Sequence, residues 1–270
     1  MMPVRVMHTA PAEIWPRLRS LQRRVAEAGR LFLFLDFDGV LAPIAPTPAL
    51  ATMPSELANI LHSLCTRREV VVAVISGRAL EDLVTKVGLP VVYAGNHGLE
   101  IRGMGLEYAA PVHPDSGVQL SDCCDVLRGG LERFSEAWIE YKRRTASLHV
   151  RQLARFQLPA VEDLVRSTMA NYPLLQLLHG KEVIEIRPNI AWNKGCAARW
   201  ILHQMEGNET GAICIGDDCT DEDMFRALNN GITIRIGAES GSAAQYWMTG
   251  GEVARFLSFL LETLVLRTSG

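Results

Sequence analysis

The sequence predicts an α/β protein whose parallel-sheet core is interrupted by one α+β module. Three observations carry this. Short apolar runs that stop at Gly, Ser or Asp recur at 31–35 (LFLFL), 69–75 (EVVVAVI), 90–95 (PVVYAG) and 211–215 (GAICI). Such runs read as strands buried on both faces. Helical periodicity fills most intervals between them. From about Glu107 to Arg187 the pattern changes to two strands, a helix and two strands behind an amphipathic helix, which is α+β patterning. The expected boundaries are core 1–106, module 107–188 and core 189–270.

Residues 11–29 predict a helix after Pro11, with Ile14, Leu18, Leu21 and Val25 at helical spacing and Gly29 ending it. The strand Leu31–Leu35 runs into Asp36-Phe37-Asp38-Gly39. Carboxylates released at a strand end can hold a hard cation, and one can attack an electrophile. A Pro- and Thr-rich loop follows, and Ser55 is the expected cap of a helix to Cys65. The run 69–75 ends in Ser76-Gly77-Arg78. This suits phosphate oxygens, with Arg78 adding a charge-assisted bond, although taken alone a plain strand-to-helix turn with Ser76 as N-cap explains it better. Ala79 to Val87 is a helix closed by Gly88, and the run 90–95 leads into Asn96-His97-Gly98 and a hairpin strand.

In the module, 121–138 predicts a helix with Val126, Leu127, Leu131, Phe134 and Trp138 inward. Strands are expected at 138–144 and 147–153, a helix at 159–169, and a hairpin of 174–179 with 182–187 around Gly180-Lys181. Lys142, Arg144, His149 and Arg151 give one sheet a basic face, by default a solvated one. Beyond it, Asn193-Lys194-Gly195 opens a helix to about Met205. A lysine at a helix N-terminus is unfavourable unless an anion sits nearby. The run 211–215 ends in a stretch with five carboxylates, Asp217, Asp218, Asp221, Glu222 and Asp223. These repel one another unless a cation compensates, though capping accounts for the later ones. A helix at 221–228, a last core strand at 231–236 and a packing helix at 251–266 complete the chain.

Bulk properties narrow the function. With 270 residues, 48% hydrophobic and 21% charged, the chain is ordinarily globular. A net charge of -3 argues against nucleic acid and anionic membranes as partners. No apolar run reaches membrane length, and the N-terminus lacks a signal-peptide pattern, so a cytoplasmic location is expected. The six cysteines show no zinc spacing and read as idle thiols. Nothing sets the oligomeric state, and a monomer is the default.

Asp36, Asp38, Ser76, Lys194 and the Asp217 cluster all fall at strand ends or a helix start, where open α/β sheets place their crevice. Together they suit phosphoryl transfer: a carboxylate nucleophile, Mg²⁺ on oxygen ligands, a lysine and hydroxyl on the phosphate, and a second carboxylate as acid and base. D-F-D-G-V at 36–40, S-G-R at 76–78, Lys194 and G-D-D-C-T-D-E-D at 216–223 resemble the four motifs of the haloacid dehalogenase superfamily. With G-N-H-G-L-E-I-R at 95–102 and V-I-E-I-R-P at 183–188, the chain more closely resembles the trehalose-6-phosphate phosphatase family. Val40 stands where that family usually has Thr.

The resemblance implies a Rossmann-like parallel-sheet hydrolase core with an inserted α+β cap. It implies Asp36 as nucleophile and metal ligand, Asp38 as acid–base with its carbonyl on the metal, and Asp217 as a further Mg²⁺ ligand. Asp221 is then beside the metal, and Ser76 and Lys194 hold phosphate. It implies Lys142, His149, Arg151 and Glu185 as sugar contacts, with Asn96, His97 and Glu100 on the core loop and Arg78 among the substrate contacts. The expected partner is a small phosphorylated sugar. Another sugar phosphate, or a catalytically weak regulatory role, stays open at this point.

Overall fold

The computed structural model of the chain describes residues 10–180 and 182–268, with side chains through 266. The chain opens with strand β1 (Ala12–Glu13) and helix α1 (Leu18–Glu27), then β2 (Leu31–Leu35), α2 (Ser55–Cys65), β3 (Val70–Ile75), α3 (Leu80–Val87), β4 (Val92–Gly95), β5 (Glu100–Gly103) and β6 (Leu106–Ala109). The inserted segment carries α4 (Ser116–Leu131), β7 (Trp138–Tyr141), β8 (Ala146–His149), α5 (Leu158–Met169), β9 (Leu175–Gly180) and β10 (Val183–Pro188). The chain closes with α6 (Lys194–Gln204), β11 (Ala212–Gly216), α7 (Glu222–Ala227), β12 (Ile232–Ile236), β13 (Tyr246–Met248) and α8 (Val253–Thr268).

Two compact units result, one of residues 1–108 and 193–270 and one of residues 109–192. In the first, nine strands form one sheet in the order β1-β13-β12-β11-β2-β3-β4-β5-β6. From β1 to β4 every pairing is parallel, and β5 turns back antiparallel on β4. The chain winds outward from β2 toward β3 and from β11 toward β12, so strand order reverses between the central β2 and β11. That switch point is where an open α/β sheet has its crevice. On one face α8 packs against α1 and α2, joining Leu21, Val25, Leu57, Leu61, Phe256 and Leu260 in the core.

The second unit is a four-stranded antiparallel sheet, β7-β8-β10-β9. Leu127, Leu131, Val161 and Val165 of its two helices join Leu148, Ile184 and Ile186 of the strands in its core. Burial pushes the thiols of Cys123 and Cys124 up to about 12 and about 11, so they act as packing groups. Among the described residues no helix is long and apolar enough to cross a membrane.

Several expected elements differ. The helix expected over 11–29 begins only at Leu18, after a 3-10 turn over Trp15–Arg17 holding Pro16. Ala12 and Glu13 pair with Tyr246 and Trp247 instead, adding an edge strand. Ser55 does not cap α2, since Pro54 is the N-cap residue and no side chain caps. The helix expected at 121–138 occupies Ser116–Leu131. Leu127 and Leu131 are buried in it, but Val126 is 53% exposed and Trp138 starts β7. The strand at 231–236 is not the last, because β13 pairs beyond it. The turn residue Lys181 and the first nine residues lie outside the described residues.

Candidate active site

Strands β2 and β11 are parallel neighbours with Leu35 opposite Ile215. Asp36 and Asp217 therefore leave the sheet side by side. The Asp36 N–H donates to the Ile215 carbonyl at 3.0 Å, extending the ladder one residue. Its side chain is buried; Oδ1 accepts the Phe37 N–H at 2.7 Å and Oδ2 lies 3.0 Å from Lys194 Nζ. Lys194 is the first residue of α6, whose N-cap Asn193 accepts the Cys196 N–H at 2.9 Å. No anion other than protein carboxylates is needed to place this lysine. Nζ also donates to Asp221 Oδ1 at 2.8 Å. The other Asp221 oxygen accepts the N–H groups of Asp217 and Asp218, both at 3.0 Å.

Two glycines allow these elements to meet. A Cβ on Gly195 would stand 2.2 Å from the Asp223 carbonyl oxygen, so only glycine lets α6 approach the acidic turn. Gly39 has φ +80, and a Cβ there would lie 2.2 Å from Asp217 Oδ2. Gly39→Ala therefore displaces the Asp217 carboxylate and adds positive-φ strain of about 1–2 kcal/mol. The expected result is loss of the thermal stabilisation a divalent cation gives the wild type, with a metal-free melting temperature lowered by only a few degrees. Differential scanning fluorimetry with Mg²⁺ and with EDTA checks it.

Four of the five acids after β11 are compensated by donors and cations of the protein itself, more than the sequence suggests. Asp218 caps the following turn by accepting the Cys219 N–H at 2.7 Å. Glu222 accepts from Arg235 at 3.0 Å, Ser242 Oγ at 2.6 Å and the Ala243 N–H at 2.6 Å. Asp223 lies 3.7 Å from Arg226. Asp221 is held by Lys194, which leaves Asp217, against Gly39, beside Asp36. Arg235 and Ser242 are absent from the sequence reading; no local pattern marks them, since both act across the sheet end.

Burial, then the charges of Asp221, Asp217 and Asp38, holds the Asp36 carboxyl well above the usual carboxylate range, with Lys194 opposing. Burial would lower the Lys194 pKa, but Asp221 and Asp36 outweigh it and raise it. Asp36, Asp217 and Asp221 each offer an oxygen within 4.8 Å of the others. An all-oxygen set whose like charge Lys194 relieves only in part fits a hard divalent cation. Both oxygens of Asp221 and both oxygens of Asp36 also meet donors of the protein, so hydrogen bonding does not separate Asp221 from the other two carboxylates of the cluster.

Asp38 stands apart from that trio. Its carboxylate is gripped by Arg78, with Nε to Oδ2 and Nη2 to Oδ1 both at 2.7 Å. Arg78 also donates to Asp82 at 2.7 Å and to the Pro48 carbonyl at 2.9 Å. These bonds commit the guanidinium expected to contact substrate. Ser76 is buried, and its Oγ accepts the Arg78 N–H at 3.3 Å; Ala79, not Ser76, is the N-cap residue of α3. Asn96 and His97 take left-handed φ of 50 and 58. Their N–H groups donate to the Arg78 and Ser76 carbonyls at 2.7 and 2.9 Å, locking this loop onto the end of β3. Asn96 Nδ2 donates to Glu100 at 2.8 Å.

The remaining expected site residues lie in the second unit. Lys142 Nζ sits 3.2 Å from both Glu185 oxygens, and Ser147 Oγ donates to Glu185 at 2.7 Å. His149 bonds Glu140 at 2.9 Å and stacks on Trp138 at 4.1 Å; Arg151 pairs with Glu182 at 3.0 Å. The expected basic face is instead satisfied within its own unit: Lys142 and Arg151 form ion pairs with Glu185 and Glu182, and His149 hydrogen-bonds Glu140. Glu140 is missed by the sequence reading, although strand alternation places it beside Lys142.

Comparison with known proteins follows this geometry. The trehalose-phosphatase family profile matches residues 34–247, a span that includes Asp36, Asp38, Ser76, Lys194, Asp217 and Asp221. The chain is 32% identical over 254 residues to the trehalose 6-phosphate phosphatase RA3 of Zea mays, covering 86% of this chain and 70% of that one. It is 33% identical over 217 residues to a trehalose-phosphate phosphatase of Mycobacterium marinum, covering 76% of this chain and 53% of that one. The fold is similar to that of the C-terminal domain of the C. albicans trehalose-6-phosphate phosphatase, with a TM-score of 0.77, 24% identity, and 94% and 99% of the two chains covered. A buried carboxylate, lysine and acidic turn at one sheet end, with a family match spanning all of them, place this chain in the trehalose-phosphatase family, whose members are phosphoric monoester hydrolases.

Proposed function

We propose that the chain hydrolyses trehalose 6-phosphate to trehalose and phosphate through an aspartyl phosphate on Asp36, with Mg²⁺ as the divalent cation. The observation that carries this is the buried Asp36 at the end of β2, set between Lys194 and Asp217. An Asp36 oxygen attacks phosphorus, the ester P–O bond breaks, and its electron pair leaves with the sugar oxygen. Asp38 gives that oxygen a proton. Asp38 then takes a proton from water as the water oxygen attacks phosphorus, and the Asp36–phosphorus bond breaks to restore the carboxylate. Lys194 and Ser76 stabilise the phosphate oxygens. Asp36, Asp217 and the Asp38 carbonyl would hold Mg²⁺, which when bound would supply charge neutralisation of the phosphoryl group.

We assign sugar recognition to Glu185, Lys142, His149 and Arg151, and a supporting role to Asn96, His97 and Glu100. Glu185→Gln keeps the shape but weakens a charge-assisted bond, worth roughly 1.5–3 kcal/mol. The expected outcome is kcat/KM for trehalose 6-phosphate lowered on the order of 10- to 100-fold, with that for p-nitrophenyl phosphate unchanged. An equal loss on both substrates would remove Glu185 from sugar recognition.

The decisive assay is phosphate release from trehalose 6-phosphate, sucrose 6-phosphate, glucose 6-phosphate and p-nitrophenyl phosphate, each with Mg²⁺ and with EDTA. Release that is metal-dependent and strongest for trehalose 6-phosphate is the expected result. Preference for another sugar ester moves the substrate and keeps the chemistry. No release from any, by folded protein in Mg²⁺, refutes the enzyme.

A further inference from the structure

Arg78 ends β3 in a position where a phosphate contact would be natural, yet its side chain is 7% exposed and turned elsewhere. Four hydrogen bonds define it. Nε and Nη2 grip the two Asp38 oxygens at 2.7 Å each, Nη1 donates to Asp82 at 2.7 Å, and Nη2 also donates to the Pro48 carbonyl at 2.9 Å. The guanidinium carbon sits 5.0 Å from the Phe37 ring centroid. A guanidinium has five N–H groups, so four committed donors leave no fork for a phosphate.

The surroundings of Arg78 are themselves anchored. Asp82 is in the first turn of α3. The 3-10 turn Pro48–Leu50 is tied to the end of the same helix by Lys86, whose Nζ donates to the Ala49 and Ala51 carbonyls at 3.1 and 2.9 Å. Asp38, by contrast, has a side chain 36% exposed on a turn beyond the sheet, where a free carboxylate would sample several rotamers. A bidentate guanidinium sets both the position and the plane of the carboxylate it holds.

We infer that Arg78 is a positioning residue for Asp38: it aims the acid–base carboxylate at the leaving oxygen and is not itself a phosphate contact. This rests on the reading of Asp38 as the acid–base of ester cleavage. When Asp36 attacks phosphorus, the electron pair of the breaking P–O bond goes to the leaving oxygen. A sugar alkoxide needs the Asp38 proton at that moment; p-nitrophenolate leaves as a stabilised anion and does not. Misplacing Asp38 therefore slows alkyl esters and spares the aryl ester, whereas losing a phosphate contact slows both.

The test measures kcat/KM, which reports the steps through first ester cleavage, for wild type, Arg78→Met, Arg78→Lys and Asp82→Asn. The substrates are trehalose 6-phosphate, glucose 6-phosphate and p-nitrophenyl phosphate at saturating Mg²⁺. For Arg78→Met the expected loss is about 100-fold on the sugar esters, a typical share of general-acid catalysis, against less than about threefold on the aryl ester. Arg78→Lys keeps the charge but not the fork and falls between. Asp82→Asn loosens only the support of Arg78 and shows the same selectivity at a few-fold. If Arg78→Met is unfolded by circular dichroism, the other two variants carry the comparison. Equal losses on sugar and aryl esters overturn the proposal in favour of a phosphate contact, and no loss on either overturns it in favour of simple packing. Wild type that cleaves glucose 6-phosphate but not trehalose 6-phosphate refutes only the substrate reading, and the selectivity is then read on glucose 6-phosphate. Wild type that cleaves no sugar ester refutes the catalytic reading and this proposal with it.

Discussion

Asp36→Asn is expected to abolish phosphate release, on the proposed nucleophile role, and to leave the protein more stable than wild type at neutral pH. The catalytic half follows from chemistry. An amide cannot form the acyl phosphate, so turnover falls by at least about 10⁴-fold, the scale seen when a nucleophile is removed. The stability half follows from burial. The Asp36 side chain is buried, near Asp221, Asp217 and Asp38, and Lys194 relieves only part of the cost, so its folded pKa is raised. A raised pKa means that the fold favours the protonated form. The associated stability is present below the unfolded carboxylate pKa, about 3.9, and is lost as pH rises through the folded value. Asn imitates the protonated form at every pH. In EDTA the variant should therefore gain over wild type as pH rises toward neutrality and converge with it in acid. Denaturant melts across pH in EDTA measure this. A variant less stable than wild type at neutral pH would show that the Lys194 bond outweighs burial and repulsion. A site that trades stability for chemistry is the expected arrangement.

Lys194→Met gives the opposite stability change. Removing the ammonium leaves Asp36 and Asp221 buried without their 3.0 and 2.8 Å partner. Breaking one side of a buried ion pair costs about 3–5 kcal/mol, enough to lower the melting temperature by on the order of 10 °C. Loss of turnover is expected as well, because in the proposed mechanism Lys194, 3.0 Å from Asp36, compensates phosphate charge. The two substitutions touch one network and should not add. Asp36→Asn in the Lys194→Met background recovers part of the lost stability, because it removes one of the two orphaned charges. Melting curves of both single variants and the double variant in EDTA test this. A double variant no more stable than Lys194→Met alone would mean that Asp221 alone carries the cost.

The core elements were legible in the sequence for a physical reason. A strand buried on both faces must be apolar throughout, so LFLFL, VVVAVI and AICIG announce themselves. The candidate site residues were legible because a carboxylate, a hydroxyl or a lysine at a strand end or helix start has little local reason to be there. Elements with a weaker local signature shifted. The helix of the second unit begins at Ser116, ahead of the expected start, because its inward face is set by packing that the apolar spacing only partly mirrors. Ala12–Glu13 becomes a strand only because Tyr246–Trp247 offers a parallel edge.

By itself the sequence determined the order of the central core strands and the helices between them, which residues stand at those strand ends, and the phosphoryl-transfer chemistry that those residue types permit. Tertiary structure alone decided how they pair. It gave Arg78 to Asp38, Lys194 to Asp36 and Asp221, Glu222 to Arg235, and the cations of the second unit to carboxylates beside them. The physical reason is that burial leaves a pattern along the chain, whereas a charge's partner is chosen by distance and desolvation in the folded protein. Those are set by strands adjacent in the sheet and remote in sequence.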